Sequence, residues 1–186
     1  MAIFPKSEAE LRQEQRKIYI ASGAAFLSCA AVLGAAHFLL PRIIEFPADG
    51  LESRLTFLAG ANLLLVMWVL IGVGMVARGR RHSADDIGGS AYSRPSPKIA
   101  VAAAFLQNTL EQFVIAAFSL SALLMLLGAP AMPFIAASVL LFGVGRISFL
   151  LGYPKGAGGR AFGMAVTLLP SLAAFVLAIA FMIARL

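Results

Sequence analysis

Charge is scarce in this sequence. Only 13% of its 186 residues are Asp, Glu, Lys or Arg, while 60% are apolar. A soluble domain of this length keeps a mostly polar surface, so the shortage excludes a freely dispersed globular domain. Cysteine is almost absent. Cys29 stands alone in an apolar run, which excludes a disulfide framework and a thiolate metal site and leaves it as a packing residue. There are two histidines. His37 lies near the end of an apolar segment and reads as an interfacial anchor. His82 sits in a polar loop near Asp85 and Asp86, a set too loosely ordered for a metal, so no metal site is expected. The stretch Gly152–Gly159 contains Lys155 but lacks phosphate-loop spacing and reads as a tight turn. The first seventeen residues mix Lys6, Arg12, Arg16 and Lys17 with Glu8, Glu10 and Glu14, a composition unlike that preceding a cleavable signal core.

Apolar length is what the chain does have. Mean hydropathy is +0.89, and about 20 apolar residues make one helical crossing of a bilayer core. Five candidate spans follow: about Ile18–Leu40, Thr56–Val76, Ala100–Leu127, a fourth ending near Leu151, and Ala161–Ala184. All are expected to be helical, because open sheet edges go unsatisfied in lipid. Residues 1–17 form a charged amino-terminal segment, 18–40 a first span, and 56–186 the rest of the membrane domain. The net charge of +6 does not imply nucleic acid, because the basic residues fall between the apolar runs. Twelve of them (Lys6, Arg12, Arg16, Lys17, Arg78, Arg80, Arg81, Arg94, Lys98, Arg146, Lys155 and Arg160) map to one side and three (Arg42, Arg54 and Arg185) to the other. That asymmetry places the amino terminus in the cytoplasm and the carboxyl terminus outside.

One acid lies within an apolar span. Glu111 shares a helix face with Asn108 and Gln107, whereas Gln112 points elsewhere. Intramembrane ionisable groups usually face a partner or a cavity. Counting about 20 residues inward from Leu127 reaches Asn108, and the same count on the fourth span puts Arg146 near the inner boundary. Arg78, Arg80 and Arg81 end the second span there, and Arg160 starts the fifth. Two readings stay open at this point. The arginines snorkel to headgroups with Glu111 neutralising one of them, or the cluster forms a cytoplasm-facing pocket for a small anionic or zwitterionic ligand.

The stretch Phe105-Leu-Gln-Asn-Thr-Leu-Glu111-Gln resembles the Asn-x-x-Glu signature of the MAPEG family, the membrane-associated proteins in eicosanoid and glutathione metabolism. Arg146-Ile-Ser-Phe-Leu-Leu-Gly-Tyr153 resembles the family's Arg-x-x-Tyr-x-x-Gly-Tyr run, and Arg160 follows at the family spacing. The resemblance, to a divergent bacterial-type member close to microsomal glutathione transferases, implies a fold. That fold is an all-α, left-handed four-helix transmembrane bundle over 56–186, with the first span as one extra helix. It also implies an inner-membrane homotrimer holding glutathione as co-substrate at subunit interfaces. Asn108 and Glu111 would hold its γ-glutamyl end, Tyr153 and Arg160 would line the cleft with Arg146 beside them, and Arg78, Arg80 or Arg81 would stabilise the thiolate. A nearby cation lowers a thiol's pKa and raises its nucleophilic fraction.

The sequence departs from the family pattern at Ala104, where an arginine is common, at Phe149, where the motif has tyrosine, and at Gln112, often aromatic. A glutathione transferase or peroxidase acting on lipophilic electrophiles is therefore expected alongside an alternative, a non-catalytic structural or ligand-sensing protein on the same scaffold. A transporter using Glu111 as a coupling residue lacks the repeats or broken helices that would support it.

Overall fold

The computed structural model describes residues 7–92 and 94–185. Lys6 of the charge count and the extreme residues 1 and 186 of the expected segments lie outside them. The first helix, α1, spans Glu8–Ile43. It is followed by α2 (Leu51–Arg81), α3 (Ala100–Leu127), α4 (Met132–Gly152) and α5 (Gly156–Ile183), with 3-10 turns at Ala129–Ala131 and Tyr153–Lys155. Ser7 starts α1 through a capping box. Its hydroxyl accepts from Glu10 N, and Glu10 Oε2 accepts from Ser7 N at 2.8 Å, so two amides that lack helical partners are satisfied together. With 36 residues, α1 is about 54 Å long at the helical rise, well beyond a hydrocarbon core of about 30 Å. Its charged first turns therefore extend past the apolar slab.

The expected four-helix bundle with one extra amino-terminal helix is not what forms. Among the described residues, four long apolar helical stretches, Glu8–Ile43, Leu51–Arg81, Ala100–Leu127 and Ala129–Ile183, build a single all-α bundle. Two physical facts account for the difference. The fourth stretch is one helical run of 55 residues, because the turn at Tyr153–Lys155 carries the backbone from α4 into α5 without a loop. The expected fourth and fifth spans are thus two arms of one hairpin. And α1 is no appendage, since Ala25, Cys29 and Ala36 are buried where it packs along α5 and α4.

Glycines set the closeness of the hairpin arms. A Cβ on Gly163 would lie 2.2 Å from Phe149 N, and one on Gly152 would lie 2.1 Å from Gly159 O. Gly156, at φ +81°, makes the reversal that an L side chain resists. The main apolar core joins α2 to α5 around Leu65, Leu120, Leu124, Met132, Ile135 and Phe142. A smaller cluster of Ala25, Cys29, Leu141 and Val166 ties α1 to the hairpin. Outward-facing Phe118, Leu140 and Leu151 are 75%, 68% and 71% exposed. Lipid solvates such surface, so the membrane is part of the fold's stability.

The elements alternate in direction. One end of the bundle gathers the start of α1, the end of α2, the start of α3 and the α4–α5 turn, where Glu14 meets Gly158 and Gly79 meets Ile99. The other end joins the α2 start to the α3–α4 turn through Asp49, Arg54 and Ala129.

Candidate functional site

The polar residues collect at the end holding the α4–α5 turn, and Arg146 is their centre. Its side chain is fully buried among helices α3, α4 and α5. Nη1 donates to Asn108 Oδ1 at 2.7 Å, while Nε and Nη2 donate to Thr167 Oγ1 at 3.1 and 2.9 Å. Thr167 spends its own proton on Gly163 O at 2.8 Å, so its hydroxyl is saturated. Gly145 makes this possible, because a Cβ there would sit 2.2 Å from Thr167 Oγ1. The guanidinium also lies 4.9 Å from the Phe149 ring centroid and 5.8 Å from that of Phe142. An ionised side chain is costly inside an apolar bundle. Here three hydrogen bonds to neutral oxygens and two ring faces offset that cost. Among the described residues, no ion pair joins Arg146 to a carboxylate.

Glu111 is placed differently. It is exposed on the outer face of α3, and Gln107 Nε2 donates to its Oε1 at 2.8 Å. Asn108, half-buried between the two, offers its oxygen inward to Arg146. Gln112 turns into the bundle and is buried.

An aromatic chain runs from this network to the turn. Phe105 and Phe149 have ring centroids 6.4 Å apart, and Phe149 meets Tyr153 edge-on at 5.7 Å. The Arg160 guanidinium lies 4.7 Å from the Tyr153 centroid, and both residues are half-buried. The structure thus brings Asn108, Arg146, Tyr153 and Arg160 into one connected set, with Glu111 one helical turn from Asn108. Beside the turn, an open groove of about 390 Å³ is lined by Val144, Ile147, Ser148, Leu151 and Lys155.

The three arginines ending α2 do not share one environment. Arg78 and Arg81 are exposed, whereas Arg80 donates through Nη2 to Ser90 Oγ in the loop before α3. That loop is knotted around Asp86. Its carboxylate accepts from Ser83 Oγ, from Ser96 N at 2.8 Å and from Ser96 Oγ at 2.6 Å. The Ser83 hydroxyl first, then the Ser96 amide and hydroxyl, hold the Asp86 carboxyl below its usual range. His82 contributes Nδ1 to a contact with Arg78 O, and its carbonyl accepts from Lys98 Nζ.

Residues 55–180 match the sequence pattern of the MAPEG family, more than half of the chain. The chain belongs to the MAPEG family. It is an integral membrane member, and every residue of the connected set lies within the matched stretch. Among curated proteins and solved structures, none matches the chain significantly. The residue that sequence reasoning passed over is Thr167. Its signal was present in Gly159-x-x-x-Gly163-x-x-x-Thr167, a small-residue stripe on one face of α5 that lets α4 approach.

Proposed function

We propose that this MAPEG protein binds glutathione at the polar end of the bundle, which faces the cytoplasm, in clefts between subunits of a homotrimer. The supporting observation is the exposed Glu111 carboxylate, one helical turn from Asn108, at the same end of the bundle as the Arg160 guanidinium held over Tyr153. A tripeptide with one ammonium and two carboxylates complements that pairing. Glu111 takes the γ-glutamyl ammonium, and Asn108 donates through its amide nitrogen, its oxygen being committed to Arg146. Arg160, held over Tyr153, takes a carboxylate. Arg146 acts through Asn108 and does not reach the ligand.

The thiol would be drawn toward Arg78 or Arg81, since Arg80 is engaged by Ser90. Either cation favours the thiolate and so conjugation or reduction of lipophilic electrophiles. The groove at Ile147 and Leu151 gives such molecules an apolar approach from the bilayer. Ala104 and Phe149, which lack the arginine and hydroxyl of the family pattern, favour a second reading in which glutathione is bound without turnover.

Calorimetric titration of the protein in nanodiscs with glutathione tests the binding, with Glu111→Ala alongside. Binding by the native chain and its loss in the variant are expected; no binding by either sinks the proposal. Turnover across an electrophile panel then separates the enzyme from the non-catalytic reading.

A further inference from the structure

Helix α1 lies outside the matched residues 55–180, yet its start is fastened to the turn that carries Tyr153 and Arg160. Glu14 Oε2 accepts from Gly158 N at 3.1 Å, and Glu14 Oε1 accepts from Lys17 Nζ at 2.9 Å. The Glu14 side chain is only 16% exposed. Lys17 packs so closely that a Cβ on Gly158 would lie 2.6 Å from Lys17 Cβ. The contact falls on the first turn of α5, where amides lack helical partners and a carboxylate is favoured by both hydrogen bonding and the helix dipole.

The turn has little of its own to hold it. Gly156, Gly158 and Gly159 contribute no side chains, and Gly156 sits at φ +81°. Two residues beyond Gly158 is Arg160, whose guanidinium must stay over Tyr153 to face a ligand carboxylate. An anchor arriving from another helix therefore acts on the direction in which Arg160 is presented.

We propose that Glu14 is a positioning residue for the Tyr153–Arg160 pair, capping α5 from across the bundle so that the glycine turn presents Arg160 to glutathione. The inference rests on the glutathione reading above. Glu14 touches no ligand. Lys17 offsets its charge, so the cap adds little repulsion toward an anionic ligand.

The test uses the full chain in nanodiscs and two readouts: amide hydrogen exchange over 156–160 without ligand, and the glutathione dissociation constant. Glu14→Ala is expected to speed exchange at 158–160 and to weaken glutathione about five- to tenfold, the size of one ordinary net hydrogen bond. Glu14→Gln keeps an acceptor oxygen and should hold both readouts within about twofold of the native chain. Gly158→Ala, which pushes Lys17 away, should weaken glutathione in the same direction and serves if Glu14→Ala fails to insert. Faster exchange with unchanged affinity would reduce Glu14 to a structural cap and overturn the inference, and unchanged exchange would deny the cap itself. A Glu14→Gln loss as large as that of Glu14→Ala would assign the effect to charge and overturn it too. If the native chain binds no glutathione, the glutathione reading fails and the positioning role falls with it. The exchange arm identifies that case, because the cap still registers there.

Discussion

At the end where α2 begins, Asp49 Oδ1 accepts from Arg54 Nε and Nη2 at 2.7 Å each and from Ala129 N at 3.1 Å. Opposite charges meet there, and they clamp a turn. At the other end, Arg146 is buried with neutral partners, Arg160 rests on a tyrosine ring and Glu111 pairs with an amide. These charges of both signs are kept apart, each held by a group that leaves its charge uncompensated, while the Glu14–Lys17 ion pair of the same end lies outside the set. Cancelled charge closes a structure, while separated charge stays available to a zwitterion. The two ends should therefore respond differently when single residues are changed.

The largest effect is expected at Arg146. Arg146→Ala leaves a cavity and strips Asn108 of its donor, costing about 3 kcal/mol of stability. Arg146→Lys keeps the charge but lacks the fork that spans Asn108 and Thr167, so it should also lose stability. Unfolding in mixed micelles checks both. An Arg146→Ala protein as stable as the native chain would show that the network contributes nothing structural.

Gly163→Ala comes next, at about 2 kcal/mol, because its Cβ would press on the α4 backbone and spread the hairpin on which Arg146 and Thr167 meet. Gly34→Ala, where a Cβ meets nothing within 4 Å, provides the contrast and should be neutral or mildly stabilising. A loss at Gly34 as large as that at Gly163 would mean that close approach of α4 and α5 is not what makes the Gly163 change costly.

These residues also show what could be read from the chain. The membrane class was plain in the long uncharged runs, and the start of α1 in Ser7-Glu-Ala-Glu10. The convergence of Asn108 and Arg146 followed from counting depth along each span. The glycines of Gly152–Gly159 read correctly as a tight turn, but composition did not show that this turn is 3-10 and runs straight into α5, so that the two spans it joins form one helical stretch. Glycine composition reports conformational freedom and close approach alike, and only the facing helix decides between them. Thr167 escaped for the same reason. A threonine in an apolar run looks like any other until Gly145 is known to stand opposite.

A smaller change is expected at Glu111→Gln, which removes the charge but leaves the shape and the Gln107 contact. Glutathione affinity should fall about tenfold with little change in stability, since the side chain is exposed and supports no packing. A stability loss comparable to that of Arg146→Ala would place Glu111 in the scaffold and erase the distinction between the two ends.

The smallest effect separates the ends by pH. The Arg54 side chain first, then the Ala129 amide, hold the Asp49 carboxyl below its ordinary value. A group depressed on folding contributes stability above its unfolded pKa and loses it as pH falls through the folded pKa. Acid taken below the ordinary carboxylate range should therefore loosen the α3–α4 turn, and neutral pH should restore it. Solvent screens this exposed pair, so the change should be local and read best as amide exchange over 128–131. Asp86, also depressed, acts on the loop before α3, so its acid response should appear over 83–96. Asp49→Asn should abolish the pH dependence of the first segment and leave the second intact. If acid loosened both segments equally in Asp49→Asn, the clamp would not be set by this carboxylate, and the contrast between paired and separated charge would lose its clearest case.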